Sequence, residues 1–434
     1  MTHSILLGLQ KEKTMRDVAN QSLGLFILLI IVSAFPVFVM LFDAVAYSYG
    51  SPFIISYLKA PTYLIGVMLS SYAAGIAIFS FIGGYLFDKI SVKLTVIIAI
   101  SLFSIFSVTT GFVTNVYELF IFRFLVGAGI GTFQPVGITM LSDLFYETKG
   151  RAVAVYASFF SLGEVAAPII FPLFLPAFTV PFEISGVLSL IAVLLVVLFV
   201  PDVYKRKTTI KAHIKKYEEL LNRNTLILLV SMFIFGIAVF AGYDTYYSSY
   251  LIHFIHLTPT IAGIVYAFGG VGGLILSIPI GMFGDRTNRR YGMILSGTLF
   301  LVGSIGMFYL GRNALTQGIF VFIFGAGFGT FENIAVAFAQ DYVPDNVAGF
   351  IGGTVMGIFN IGAIVGGPLF GYILVTSGYL DAGIFSVIVP SIVMLIILAF
   401  TKKPKYMKDM PLKPVYLKDI ESKNLADVEE QINN

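Results

Sequence analysis

Apolar stretches of about 20 residues, the length that crosses a ~30 Å hydrocarbon layer, recur along the whole chain. Nothing else in the sequence limits its fold so strongly. Twelve are legible: 23–57, 62–86, 92–114, 117–142, 151–174, 179–200, 225–256, 260–283, 291–310, 316–342, 347–374 and 380–400. Lipid leaves every backbone N–H and C=O to be satisfied inside the protein, so spans of this kind must be helices. Only 12% of the 434 residues are charged, against about 25% in soluble domains. A deficit spread over the full length cannot be hidden in one soluble core. The sequence predicts an all-α, multi-pass protein of the cell membrane with twelve transmembrane helices and the lipid bilayer as its immediate partner.

Charge placement sets the expected orientation. With the N-terminus in the cytoplasm, 24 of the 27 Lys and Arg residues fall on the cytoplasmic side, as the positive bias of cytoplasmic loops requires. Only Lys59 and Arg312 fall outside, and Arg123 lies within a span. Both termini are therefore expected to be cytoplasmic, with no cleaved signal peptide at the start. A net charge of +3 gives no argument for a nucleic-acid partner. The absence of cysteine excludes disulfides and thiolate chemistry, and the four histidines show no ligand spacing within a helix, so neither metal nor cofactor is expected.

The longest polar interruption divides the spans into two sets of six. The expected organisation is a cytoplasmic N-terminus (1–22), a six-helix bundle (23–200), a cytoplasmic linker (201–224), a second six-helix bundle (225–400) and a cytoplasmic tail (401–434). In the linker, Ile214, Tyr217, Leu220 and Leu221 sit at helical spacing, as in a short helix on the membrane surface. The two bundles repeat one another. GAGIGTFQ (127–134) returns as GAGFGTFE (325–332), GGYLFDKISVK (83–93) as IGMFGDRTNRR (280–290), and APTYLIG (60–66) as TPTIAG (258–263). Parallel six-helix repeats related by an axis along the membrane normal put a cavity between the halves, near the midplane.

Gly84, Asp88, Lys89 and Lys93, repeated as Gly281, Asp285, Arg286 and Arg290, resemble the loop signature of the major facilitator superfamily. Arg123 with Gly127 and Gly129 resembles that family's fourth-helix signature, and the resemblance extends over the twelve spans. It implies a transporter in which Asp88 faces the N-terminus of the eleventh helix when the inner gate is closed, where an acid is favoured. Gly84 and Gly281 are expected to allow close helix packing. The sequence departs from the signature at Ser91 and Asn288, where the family has a small glycine.

Acids inside spans are costly and mark functional sites by default. Asp43, in FDAVAYSYGSP, resembles the first-helix acid of the family's proton-coupled metabolite and organic-anion symporters, which works with the fourth-helix arginine, here Arg123. Residue counting puts the two ~5 Å apart in depth, within reach of an arginine. Glu164 and Asp244 are further candidates; Asp244 stands among Tyr243, Tyr246, Tyr247 and Tyr250, of which Tyr243 and Tyr247 are placed with the substrate residues. The same tyrosines also suit an aromatic belt at the membrane edge. Asn360 and Asn333 are weaker candidates. Gln134 and Glu332 are the repeat's matched pair, an amide answered by a carboxylate that could hold a proton or accept a hydrogen bond from a substrate hydroxyl.

No GxSxG, HExxH or Walker loop is present, so an enzyme or a primary pump is not expected. The expectation is a monomeric secondary transporter taking up a small polar metabolite, an organic acid or sugar-type compound, with protons. Export of drugs or metabolites against protons is the alternative, weakened because the fifth helix has Glu164 and Pro168 but no Gly-Pro pair. A non-transporting membrane receptor is a more distant one.

Overall fold

A computed structural model describes residues 23–90, 92–144, 149–200, 223–342 and 348–402. The surface helix expected in the linker lies outside these residues, as do the N-terminus and nearly all of the tail. Twelve helical rods are present among the described residues. In the first half they are α1 (Leu23–Tyr57), α2 (Leu64–Lys89), α3 (Val92–Gly111), α4 (Val116–Leu144), α5 (Lys149–Ile170) and α6 (Val180–Phe199). In the second they are α7 (Arg223–Phe254), α8 (Pro259–Arg286), α9 (Arg289–Leu310), α10 (Ala314–Gln340), α11 (Ala348–Ser377) and α12 (Tyr379–Leu398). All belong to one compact unit ending at Thr401. We call the face where α1 begins and α12 ends the near face, and the opposite one the far face.

The turns are written locally. Pro259 opens α8 behind Thr258, whose side chain accepts from the Ile261 amide. Asn313 and Thr316 form a reciprocal capping box at the start of α10. Lys59 (φ 52°) and His256 (φ 62°), 197 residues apart, are the described non-glycine residues in the left-handed region. Each ends the first helix of its half, and the amide after each bonds back to a carbonyl of the last turn, Ala60 to Ile55 and Leu257 to Leu251, both at 3.0 Å. Helix ends commonly use this geometry, normally with glycine.

The packing repeats as well. In the first half α4 packs on α2 and α3, α1 on α5 and α6, and α3 on α6. In the second half α10 packs on α8 and α9, α7 on α11 and α12, and α9 on α12. The duplicated octapeptide builds this pattern. A Cβ on Gly127 would fall 2.1 Å from the Tyr72 carbonyl oxygen of α2, and one on Gly129 would fall 2.7 Å from Phe103 of α3. In the second copy, Gly325 meets the Gly269 carbonyl of α8 at 1.8 Å and Gly327 the Phe300 amide of α9 at 2.3 Å. Alternate glycines thus let one helix approach two neighbours at backbone distance, the usual substitute in lipid for a hydrophobic drive.

The halves meet through α2 against α11 and α5 against α8. Gly66 and Gly263 make the close approaches: a Cβ on the first would lie 2.3 Å from the Gly367 carbonyl, and one on the second 2.0 Å from that of Pro168. Ser70 adds a hydrogen bond to the Ile364 carbonyl at 2.6 Å. These contacts lie toward the far face. Toward the near face, Gly281 of α8 and Gly353 and Gly357 of α11 have nothing within 4 Å of a would-be Cβ among the described residues. Among these residues the seam is closed at the far end and open toward the near end. Gly281 therefore does not pack backbone-close as its motif position suggested. Gly84 has no described side-chain environment.

The second half departs from its partner in one respect. Residues Gly242–Tyr246, Tyr250–Phe254, Gly306–Leu310 and Ile384–Ile388 are π-helical turns in α7, α9 and α12. Such turns gather at functional sites, and these pack around Phe308, which meets Gly242, Tyr250 and Gly383.

Gly325→Ala is expected to destabilise the protein by about 1–3 kcal/mol through overpacking. Gly281→Ala should leave the melting temperature unchanged or slightly higher, since alanine favours an open helix position. Thermal unfolding of the two variants in detergent checks the contrast.

Candidate functional site

The Asp43–Arg123 pair is a closed cluster inside the first half. Asp43 comes from α1, Arg123 from α4, Ser107 and Thr110 from α3, and Ser185 from α6. Arg123 Nη2 donates to Asp43 Oδ2 at 3.2 Å and to Thr110 Oγ1 at 3.1 Å. Ser107 donates to Asp43 Oδ1 and lies 3.1 Å from the Ser185 hydroxyl. The guanidinium stands 4.4 Å from the centroid of the Tyr47 ring and 5.8 Å from that of Phe182, so cation–π attraction supplements the ion pair. Both charges are fully buried. Arg123 Nε and Nη1 and the Tyr47 hydroxyl have no hydrogen-bond partner among the described residues. The depth match in the sequence anticipated the pair; the hydroxyl shell from α3 and α6 was not singled out there, although serines and threonines in apolar spans are its signal.

A different arrangement occupies the seam. Glu164 of α5 is 8% exposed, and Asp244 of α7 and Glu332 of α10 are half-buried. Glu164 feels the charge of both other acids, and Asp244 feels that of Glu332. None of the three has a hydrogen-bond or ion-pair partner among the described residues. The Glu164 side chain lies over Gly270 of α8, where a Cβ would meet it at 3.4 Å, so this acid sits on the joint between the halves. Asp244 occupies the first π-turn of α7. Gln134 and Glu332 hold matching half-buried places three residues beyond Gly131 and Gly329.

The remaining candidates scatter. Tyr243 and Tyr247 are fully buried within the second half, and their hydroxyls are already used. Tyr243 and Tyr266 exchange hydroxyl-to-carbonyl bonds at 3.0 Å, and Tyr247 donates to Gln317 Oε1 at 2.9 Å. Neither ring forms part of a lipid-facing belt, because the surrounding helices enclose both. Asn360 and Asn333 bond back to their own helices, to Met356 at 2.9 Å and Gly329 at 2.7 Å.

At the near face the second signature copy forms a network within its own half. Arg289 bridges Asp285 at 3.2 Å and Asp341 at 2.5 Å and donates to the Ala337 carbonyl at 3.1 Å. Burial pushes the Asp341 carboxyl up, and the neighbouring Arg289 opposes the shift. Arg286 is exposed. Arg290 donates to the Ala399 carbonyl past the end of α12 at 2.7 Å, and Lys93 donates to the Val197 carbonyl in the last turn of α6 at 2.7 Å. The last cation of each copy thus holds the C-terminal end of the sixth helix of its half, where the helix dipole favours positive charge. The side chains of Asp88 and Lys89 lie outside the described residues.

Two six-helix halves in parallel repeat, meeting at one end and parted at the other around a polar seam, define a class: a membrane transporter built on alternating access. The Major Facilitator Superfamily model matches residues 23–367, and the chain belongs to that family. It is a transporter and not an enzyme. Over 358 residues, 77% of this chain and 85% of the relative, it is 26% identical to the hexuronate transporter of Bacillus subtilis (strain 168). Over 79 residues, 18% of each protein, it is 34% identical to the 4-hydroxybenzoate transporter of Pseudomonas aeruginosa. Its fold matches that of a mutant form of a nucleoside transporter with a TM-score of 0.73 at 15% identity, over 86% of this chain and 100% of the other.

Arg123→Ala should cost ~3–5 kcal/mol, because it leaves Asp43 buried and unpaired. Asp43→Ala combined with Arg123→Ala should cost less than the two single losses added together. A double-mutant cycle on thermal unfolding measures that coupling. Arg290→Ala should cost only about 0.3–1 kcal/mol.

Proposed function

We propose that this transporter is a proton-coupled symporter that takes up a small polar metabolite, of organic-acid or sugar type, across the cell membrane. The observation that carries the proposal is the set of three acids in the seam, Glu164, Asp244 and Glu332, without a countercharge among the described residues. Acids inside a membrane without a countercharge are costly and mark ion and proton pathways. Arg123 is enclosed in the first half beneath Tyr47 and does not offset them. An anionic cargo entering such a seam must arrive with protons. The relatedness to a hexuronate transporter supports a cargo of that chemistry. The near face, where the basic signature residues gather, is assigned to the cytoplasm by the positive bias of cytoplasmic loops.

Asp43 is assigned the coupling proton and Arg123 the countercharge that senses it. Glu332 is assigned to the seam as a proton or hydroxyl acceptor that Gln134 does not duplicate. The test is uptake into reconstituted vesicles with glucuronate as the first probe and neutral sugars beside it. An inward proton gradient should drive accumulation, and a protonophore should abolish it; uptake indifferent to both would remove proton coupling. Asp43→Asn should abolish uphill accumulation while keeping exchange across the membrane, and Arg123→Lys should fail because a compact ammonium does not reproduce the guanidinium's contact with the Tyr47 ring. Glu332→Gln should weaken apparent affinity or flatten the pH dependence at wild-type protein abundance.

A further inference from the structure

The far-face closure contains two bonds whose tyrosine donors are related by the internal repeat. Tyr246 of α7 donates its hydroxyl to the Tyr63 carbonyl at 2.9 Å, and the Gly66 amide donates to that same hydroxyl at 3.0 Å. Both partners belong to the opening turn of α2, in the other half. Tyr49 of α1 donates to the Pro259 carbonyl, at the first residue of α8, again in the other half. Tyr49 and Tyr246 are 197 residues apart (246 − 49), as are Gly66 and Gly263 (263 − 66). The same two glycines make the closest backbone approaches between the halves.

We propose that Tyr49 and Tyr246 are paired latches, and that breaking both sets of bonds is the step that opens the far face during transport. Each hydroxyl donates to a main-chain carbonyl that only the opposite half supplies, and the Tyr246 hydroxyl also accepts from a main-chain amide there. The first-turn amides of a helix have no partner within it, so the Gly66 amide, third in α2, is a donor that the Tyr246 latch satisfies and that water must satisfy once the halves part. The rings are held independently of the hydroxyls. Tyr246 stacks on Phe370 at 4.7 Å, and Tyr49 meets Phe171 edge-on at 5.7 Å. Removing a hydroxyl therefore loosens the closure and leaves the packing in place.

The latches also connect the closure to the charged sites. Tyr246 ends the π-turn that begins at Gly242 and contains Asp244, so the seam acid and the latch share one helical turn. Tyr49 lies six residues along α1 from Asp43. Any rotation of α1 or α7 that follows a change at these acids displaces the hydroxyl on the same rod, because successive residues of a helix turn together by about 100°. Beside the latches, Ser248 donates to the Ser48 carbonyl at 3.3 Å, another contact between α7 and α1 that the parting must break.

Spin labels on Tyr117→Cys and Leu315→Cys, exposed at the far ends of α4 and α10 in this cysteine-free chain, report the separation of the halves on the full protein. With a net value per hydrogen bond taken from mutational series, each of Tyr49→Phe and Tyr246→Phe should raise the ratio of far-open to far-closed molecules about fivefold, and the double variant ~25-fold. Ser48→Cys should then react faster with a membrane-impermeant maleimide in both variants. A merely structural role would lower the melting temperature and leave the distance distribution unchanged, and that result overturns the proposal. So does a shift produced by only one of the two hydroxyls, since the latches would then not be a pair.

Discussion

In a bilayer, two apolar helices gain nothing by leaving lipid for each other. What holds this bundle together is close backbone approach at glycine, and the rest of the structure depends on where those approaches fall. The alternating glycines of α4 and α10 tie each half into a rigid unit, because the same short run touches two neighbours from opposite sides. Between the halves the approaches are fewer and lie toward one face, at Gly66 and Gly263. Two units joined by a narrow, glycine-based seam can rock about it.

Charge is distributed unevenly over this symmetric frame. The first half keeps its acid paired with Arg123 and shielded by hydroxyls, so the cluster is neutral overall and buried. The seam acids have no such compensation. Of the three, Glu332 arises from a repeat position that carries an amide in the other copy, and Asp244 sits in a π-turn with no counterpart among the described residues of the first half. A duplicated scaffold thus acquires a polar site by local departures from its own symmetry.

The sequence disclosed the frame more fully than the site. Spans, halves and repeats follow from run length and from motifs 197 or 198 residues apart, because lipid imposes length and glycine spacing directly on the sequence. The Asp43–Arg123 meeting was legible for the same reason, since depth along a helix is countable. Rotational facing was not countable. Tyr243 and Tyr247 looked available for a cargo and turn out to be spent inside the second half, because π-turns displace the helical phase on which such an inference rests. Lys93 and Arg290, which the loop signature groups with a gate, also hold helix ends, contacts set by the positions of α6 and α12, which lie far away in sequence.

Lys59 and His256 carry a further consequence. A basic chain and an imidazole share no chemistry that favours a left-handed backbone, yet both occupy that conformation at matching places and close the turn onto the same carbonyl ladder. The fidelity of the duplication therefore resides in the path of the main chain, beneath side chains that have diverged beyond recognition at these corners. One of these closing bonds spans five residues and the other six, so the turn of the backbone has outlasted even the register of the helix beneath it.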